Sequence, residues 1–373
     1  MNRLIYAASK RNEDLLYATK FQAPDAFLYF EKSGTSHIVL NSLEYDRGCR
    51  QAKVDRVINL SAWPKRMMRQ PRGRTSSSED WISDVLRRHG VKRVTVSPEC
   101  YVGLVDGLKS NGIKVEVAKG SLFPEREIKR KEEIVAIRHA LKVTGRLLER
   151  AIGVIRSSRP DRTGRLKWGG AVLTSERVQA EIRMEAARHG FEASHPIVAG
   201  GHQSCDPHER GHGALHAREL IIIDIFPRDL KTGYWGDMTR TVLKGQANEA
   251  QRKQFAAVHA AHRRAFQKLK AGVDGRSVHR DVEALFKSRG YETGQMGGRY
   301  QGFFHGTGHG LGLEIHELPR MSGVSQRLRA GHVVTVEPGL YYRATGGVRI
   351  EDVAWIRTGG CERLSHFPVQ LEI

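Results

Sequence analysis

Cysteine is scarce in this chain of 373 residues: Cys49, Cys100, Cys205 and Cys361 lie far apart, with no Cys-x-x-Cys pair. That excludes a cysteine-based zinc module and a disulfide-stapled fold, and it fits a reducing compartment. Long apolar runs are missing too. Stretches such as Leu220-Ile221-Ile222-Ile223 fall far short of the ~18 residues that a transmembrane helix needs. The start, Met1 to Tyr6, has no long apolar stretch behind Arg3. Neither a membrane span nor a secretory leader is expected, and the reading is a soluble, cytoplasmic protein. Acid is in deficit: 41 Asp and Glu stand against 61 Lys and Arg, a net charge of +20. Such an excess attracts polyanions and steers acidic ligands, but it says nothing about fold.

What is present is an ordinary globular balance, 39% hydrophobic and 27% charged, at a length suited to about two domains. The first third alternates short strands and helices. Ala26–Phe30 and His37–Leu40 predict a hairpin across Lys32-Ser33-Gly34-Thr35. An amphipathic helix from Trp81 to about Gly90 follows, then strands at Val94–Val96 and Val115–Val117 around a helix over Gly103–Lys109. Arg47–Arg74 carries nine Lys and Arg against one Asp. It predicts a solvated basic excursion, loop-like over Pro71–Ser78. Only Trp63 interleaves it with an aromatic ring, so a nucleic-acid partner is not expected.

Near residue 125 the character changes. Arg126–Ser157 predicts a long helix with one buried face built from Ile128, Ile134, Ile137, Ala140, Leu141, Val143, Leu147, Leu148, Ile152 and Ile155. Further helices are expected over Ser175–His189, Asn248–Ala271 and from Ser277 to just before Gly290. The fold class is α/β (α+β), with domains at 1–125 and 126–373.

The chemistry-bearing residues lie in the strand-like segments between and after these helices. Leu220–Phe226 is a β-rich apolar run that holds one carboxylate, Asp224. Folding it against Tyr234–Leu243 about the centre of the turn places Asp224 opposite Asp237, with Cβ atoms ~4.5–5.5 Å apart. The construction recurs near the end, where Val333–Glu337, the breaker Pro338-Gly339 and Val348–Trp355 set Glu337 opposite Glu351. Arg349 then shares the face of Glu351 by the period of two. Like charges so placed in an apolar setting persist only around a cation or a proton. The segment Phe303–Glu317 adds three histidines within twelve residues, His305, His309 and His316. Its alternating glycines, Gly306 to Gly312, argue for backbone that approaches something closely. No phosphate-cradling Gly-x-x-x-x-Gly-Lys-Ser/Thr occurs, and no Gly-x-Gly-x-x-Gly follows an apolar strand. One imidazole and four carboxylates suit a pair of divalent ions such as Mn²⁺, Co²⁺ or Zn²⁺.

Asp224, Asp237-Met-Thr-Arg-Thr, His309 within His-Gly-Thr-Gly-His-Gly-Leu-Gly-Leu-Glu-Ile-His-Glu, Glu337-Pro-Gly-Leu-Tyr and Arg-Ile-Glu351-Asp resemble the pita-bread metallopeptidases. The prolidase and aminopeptidase P branch is the closest. The resemblance covers residues 125–373, and the first domain resembles that branch's N-terminal domain in layout only. It implies a curved antiparallel sheet flanked by helices. It also implies two divalent ions per chain, Mn²⁺ foremost with Co²⁺ or Zn²⁺ as alternatives, held by Asp224, Asp237, His309, Glu337 and Glu351, with Asp237 and Glu351 bridging. A metal-bridged hydroxide would attack the Xaa-Pro bond at the N-terminus of dipeptides or short peptides. The catalytic set would be His316, donor to the oxyanion, with Glu337, handling the water's proton, and His305, which with His208 lines the cleft. His202, His212 and His216 compete with His208 for its place. Arg349 would orient Glu351 or receive a substrate carboxylate. The expected partners are peptides with proline second and a second copy of the chain in a homodimer, with no membrane. A departure is the Asp224–Asp237 spacing, about two residues longer than the branch's usual one, which a longer hairpin loop absorbs. The alternative reading is a non-catalytic pita-bread binding protein, associated with nucleic acid through its basic surface.

Overall fold

The computed structural model describes residues 2–62 and 77–373. Trp63 and most of the Pro71–Ser78 loop lie outside them. The chain forms two compact units, Met1–Arg126 and Glu127–Ile373.

In the first unit Leu4–Ala7, Phe27–Lys32, Thr35–Leu40 and Arg56–Asn59 form one sheet in that order. The first three strands run antiparallel and the last is parallel to its neighbour. The expected hairpin closes through Ser33 and Gly34 at φ 50° and 84°, the left-handed pair that a tight two-residue hairpin turn demands. Arg93–Val96 and Lys114–Val117 pair in parallel. Leu28, Phe30, Val39, Ile82, Leu86 and Val94 form the core of this unit. The basic excursion is only in part a loop. Ser42–Gln51 is a helix, started by the Asn41 side chain accepting from the Glu44 amide, and Arg56–Asn59 is the parallel edge strand. Gly48 is the only buried residue of that helix, so no apolar stripe marked it in the sequence. The short helix Glu13–Thr19 also escaped the sequence reading.

In the second unit the long helix runs from Lys131 to Ser157. It starts later than expected because the Arg130 amide donates to the Glu133 carboxylate, a capping interaction that fixes the first turn. The other helices are Ser175–Arg188, Glu249–Lys268 and Gly275–Ser288. The first and last stop before Gly190 and Gly290, at φ 75° and 81°, where a side chain would be strained. The strands that carry the candidate site lie in two antiparallel sheets and a hairpin, beside smaller two- and three-stranded pairings. Ile197–Gly200, Leu220–Ile225 and Met238–Leu243 form one sheet. Glu317–Met321, Gly308–Gly310, Val333–Val336, Asp352–Ile356 and Cys361–Arg363 form the other. Gly339–Tyr342 and Gly346–Arg349 pair as the separate hairpin. Helices Glu249–Lys268 and Gly275–Ser288 bury Val258, Ala261, Val282 and Phe286 against Val334, Val336, Val348 and Ile350, each Val or Phe contributing ~1.5–3 kcal/mol. All residues of Leu220–Ile225 and Met238–Leu243 are buried. A carboxylate within such strands has no route to bulk water except through a cavity.

Candidate functional site

Register decides which carboxylates meet. Asp224 pairs with Thr239, not with Asp237, and Ile225 with Met238. The expected opposition is therefore displaced by two residues. The same register runs on to the tip of the hairpin, where Arg228 bridges Trp235 and the Asp229 amide donates to the Tyr234 carbonyl, so the chain turns about Lys231-Thr232, one residue later than expected. Asp237 precedes Thr239 by two positions and so keeps the same face. In the second construction Val336 pairs with Asp352 and Gly339 with Arg349. Between these rungs Glu337 lies across from Glu351, as the centred pairing expects. Here the ladder opens: the Glu337 amide donates to the Thr307 carbonyl at 2.9 Å and the Glu351 amide to the Thr239 carbonyl at 3.1 Å. Two hairpins and the histidine segment are thus stitched together at the carboxylates themselves.

The glycines of the histidine segment approach neighbouring chain, which explains their alternation. A Cβ on Gly308 would lie 2.0 Å from the Thr335 carbonyl oxygen, and one on Gly310 2.3 Å from that of Leu318. Gly308→Ala is therefore expected to lose ~1–3 kcal/mol or more of stability, read as a lower urea midpoint. An unchanged midpoint would show that the strand yields freely.

Asp224, Asp237, His309, Glu337 and Glu351 all line one cavity of about 820 Å³. Donor atoms of Asp237, His309 and Glu351 lie within 4.8 Å of one another, all buried. His309 Nε2 is 3.7 Å from Asp237 Oδ2 and 3.5 Å from Glu337 Oε1. Its Nδ1 is 3.1 Å from the Gly310 carbonyl, so Nδ1 carries the hydrogen and Nε2 offers a lone pair. Burial, with His316 close by, holds the imidazole neutral, its pKa pushed down to about 3. Burial and mutual repulsion raise Asp237 and Glu351 well above the usual carboxylate range, and burial raises Glu337 to about 7. Acceptors thus face acceptors. Asp224 Oδ1 is also buried without a hydrogen-bond partner. This donor set fits hard or borderline divalent cations, which satisfy every one of these lone pairs at once.

Arg349 departs from the expectation. It is 3% exposed and does not pair with Glu351. Its Nη2 donates to Asp224 Oδ2 at 2.7 Å and its Nη1 to the Tyr341 hydroxyl at 2.9 Å. Its Nη1 also reaches the Pro207 carbonyl at 3.3 Å, and its Nε the Thr239 hydroxyl at 3.4 Å. A guanidinium with four of its five N–H donors so committed, one of them on Asp224, is built to orient that carboxylate. The Tyr341 hydroxyl lies 2.8 Å from His305 Nε2, and His305 Nδ1 lies 2.8 Å from the Gly306 carbonyl. With both ring nitrogens engaged and its pKa down at about 3 through burial, His305 is a neutral wall residue. Thr239 Oγ1 donates to Glu351 Oε2 at 2.7 Å.

His316 lines the cavity with its ring centroid 4.3 Å from that of His309, edge to face. Of the four competing histidines only His208 lines this cavity; His202 faces a separate pocket beside it. The sequence reading missed His195, Arg210 and Arg320 on the cavity wall. Neither arginine makes a side-chain hydrogen bond or ion pair with the described residues. The Leu-Pro-Arg stretch after His316 carried the only signal for Arg320, a cation four residues beyond a site histidine.

Fold and site together define a pita-bread protein with a buried cluster of ligand-type side chains able to hold a cation. The sequence matches metallopeptidase family M24 over residues 135–358, and the chain belongs to that family. An Xaa-Pro dipeptidase of Pyrococcus furiosus is 34% identical over 242 residues, 64% of this chain and 63% of that protein. One of Pyrococcus horikoshii is 30% identical over 280 residues, 74% of each. The match thus spans less than two thirds of the first of these relatives. An X-Pro aminopeptidase from Thermotoga maritima superposes with a TM-score of 0.82 at 22% identity, covering 100% of this chain and 97% of that one. The prolidase from Pyrococcus horikoshii gives 0.79 at 24% identity over 99% and 95%.

Proposed function

We propose that this protein is a dinuclear-metal exopeptidase that hydrolyses the Xaa-Pro bond at the N-terminus of dipeptides and short peptides. The observation that carries this is the neutral His309 lone pair turned on Asp237 and Glu337. The Xaa-Pro dipeptidases among its relatives support the substrate. Asp224, Asp237, His309, Glu337 and Glu351 would hold two divalent ions, with Asp237 and Glu351 bridging. Mn²⁺ is our first choice and Co²⁺ or Zn²⁺ the others. When bound, such ions supply Lewis acidity and a water acidic enough to attack at neutral pH.

The remaining work falls to the chain. Glu337 takes the water's proton on a carboxylate oxygen and returns it to the proline nitrogen as the C–N bond breaks. His316, held neutral by burial and by nearby Arg320 and His208, donates an N–H to the carbonyl oxygen as charge builds there. Arg349 fixes Asp224, while Tyr341 and His305 brace that guanidinium. His208 and His195 shape the cleft wall. Arg210 and Arg320, the unpaired cavity guanidiniums, receive the free carboxylate of a dipeptide in place of Arg349. The connection between Glu337 and Glu351 is thirteen residues, Pro338 to Ile350, too little to build a wall around the cleft. No helix of the described residues is long and apolar enough to cross a membrane. We further assign a cytoplasmic homodimer on the family resemblance, a state that light scattering of the purified chain tests.

Metal-reconstituted protein should hydrolyse Xaa-Pro dipeptides with kcat/KM ~10-fold or more above the matching Xaa-Ala series, and slightly above Xaa-Pro pentapeptides. Equal rates on Xaa-Ala would overturn the proline claim, and pentapeptides cleaved as well as dipeptides the length preference alone.

A further inference from the structure

The Asp237-Met-Thr-Arg-Thr segment holds one residue that this chemistry leaves unused. Arg240 is 1% exposed and, one step along the strand from Thr239, does not line the cavity. Its guanidinium is nonetheless fully engaged. Nη1 donates to the carbonyls of Thr239 at 2.8 Å and of Glu351 at 2.6 Å. Nη2 donates to Asp352 Oδ1 at 2.9 Å and to the Phe367 carbonyl at 2.8 Å, and Nε to the Pro368 carbonyl at 3.0 Å. Asp352 is itself held by the Ser365 hydroxyl at 2.7 Å and lies 3.2 Å from His262 Nε2.

One planar group thus joins three segments: the strand that follows Asp237, the strand that follows Glu351, and the C-terminal stretch behind them. A buried ion pair is a poor device for stability, since well-packed apolar side chains often do as well. What a rigid five-donor fork supplies is fixed geometry. Thr239 and Glu351 are the very residues whose carbonyls share Nη1. They are also tied by the Glu351 amide to the Thr239 carbonyl and by the Thr239 hydroxyl to the Glu351 carboxylate.

We propose that Arg240 is a positioning residue that clamps these two strands from behind the cavity and so sets the separation of the Asp237 and Glu351 carboxylates. It thereby tunes how tightly the cluster holds a pair of ions. This rests on the metal reading above. A lysine keeps the charge but not the fork: its three donors on one nitrogen cannot reach all three segments.

Co²⁺ titrations of the metal-free, full-length chain, followed by calorimetry and visible absorption, test this. Four proteins are compared: wild type, Arg240→Lys, Asp352→Asn and Val178→Ala. Val178 is fully buried in the Ser175–Arg188 helix and controls for lost stability alone. With circular dichroism showing each variant folded, Arg240→Lys should bind the Co²⁺ pair ~10–100-fold more weakly, the usual scale for a residue supporting metal ligands. Asp352→Asn should shift affinity in the same direction, and Val178→Ala should not shift it. Wild-type Co²⁺ affinity in folded Arg240→Lys overturns the inference while leaving the metal reading intact. If Arg240→Lys does not fold, Asp352→Asn decides, and wild-type affinity there overturns it equally. A wild-type chain that takes up no Co²⁺ overturns the metal reading and this inference together.

Discussion

Asp237→Ala or Glu351→Ala is expected to abolish loading of both ions and to lower kcat/KM on an Xaa-Pro dipeptide by ~10³-fold or more. Each of these side chains is buried beside His309, and each is pushed toward the protonated form by burial and by its acidic neighbours when no cation is present. On the proposed assignment, removing either would take a shared ligand from the pair. Losing the Lewis acid removes several kcal/mol of transition-state stabilisation, and ~4 kcal/mol is already ~10³ in rate. Elemental analysis of the desalted variants is the check. Full occupancy in either would show that the carboxylate does not bridge.

The second large effect is expected at His316. Its ring stands edge-on to His309 on the cavity wall and makes no hydrogen bond that would hold it to a structural task among the described residues. His316→Ala should lower kcat by ~10²-fold or more, the scale of one positioned donor to a developing oxyanion, with metal content unchanged. His309→Ala should instead lose metal, because its Nε2 is turned into the cluster. Equal metal content in the two variants would mean that the division into metal ligand and oxyanion donor is wrong.

The parts of the site that were legible in the sequence are those governed by short-range periodicity. The Val333–Glu337 and Val348–Trp355 segments fold about a breaker, and their flanking rungs leave Glu337 across from Glu351. The spaced glycines before Leu313 announced close approach: Gly308 and Gly310 meet strand backbone, and Gly312 meets the Glu317 carboxylate. Asp224 was harder, because the seven residues Pro227 to Gly233 do not mark where the chain reverses. It turns about Lys231-Thr232, one residue beyond the assumed centre, and the register moves by two residues to Thr239. Facing survives such a slip because side chains repeat every second residue.

What the sequence concealed depends on partners distant along the chain. Arg349 sits two positions from Glu351 yet serves Asp224, 125 residues away. Arg240 reaches Phe367 and Pro368. His305 spends both nitrogens, one on Tyr341. The helix Ser42–Gln51 was hidden for another reason: its face buries only a glycine, so a basic run looked like loop. Periodicity reports which face is buried, and only the fold reports what a buried polar group finds there.

The most direct test of the account is metal stoichiometry. Wild-type protein, stripped with chelator, reloaded with Mn²⁺ and desalted, should carry about two ions per chain by elemental analysis and regain Xaa-Pro dipeptide hydrolysis in step with loading, as a donor set of one imidazole and four carboxylates implies. A chain that retains no Mn²⁺, Co²⁺ or Zn²⁺ after the same treatment, or that hydrolyses the dipeptide equally well without them, would contradict it.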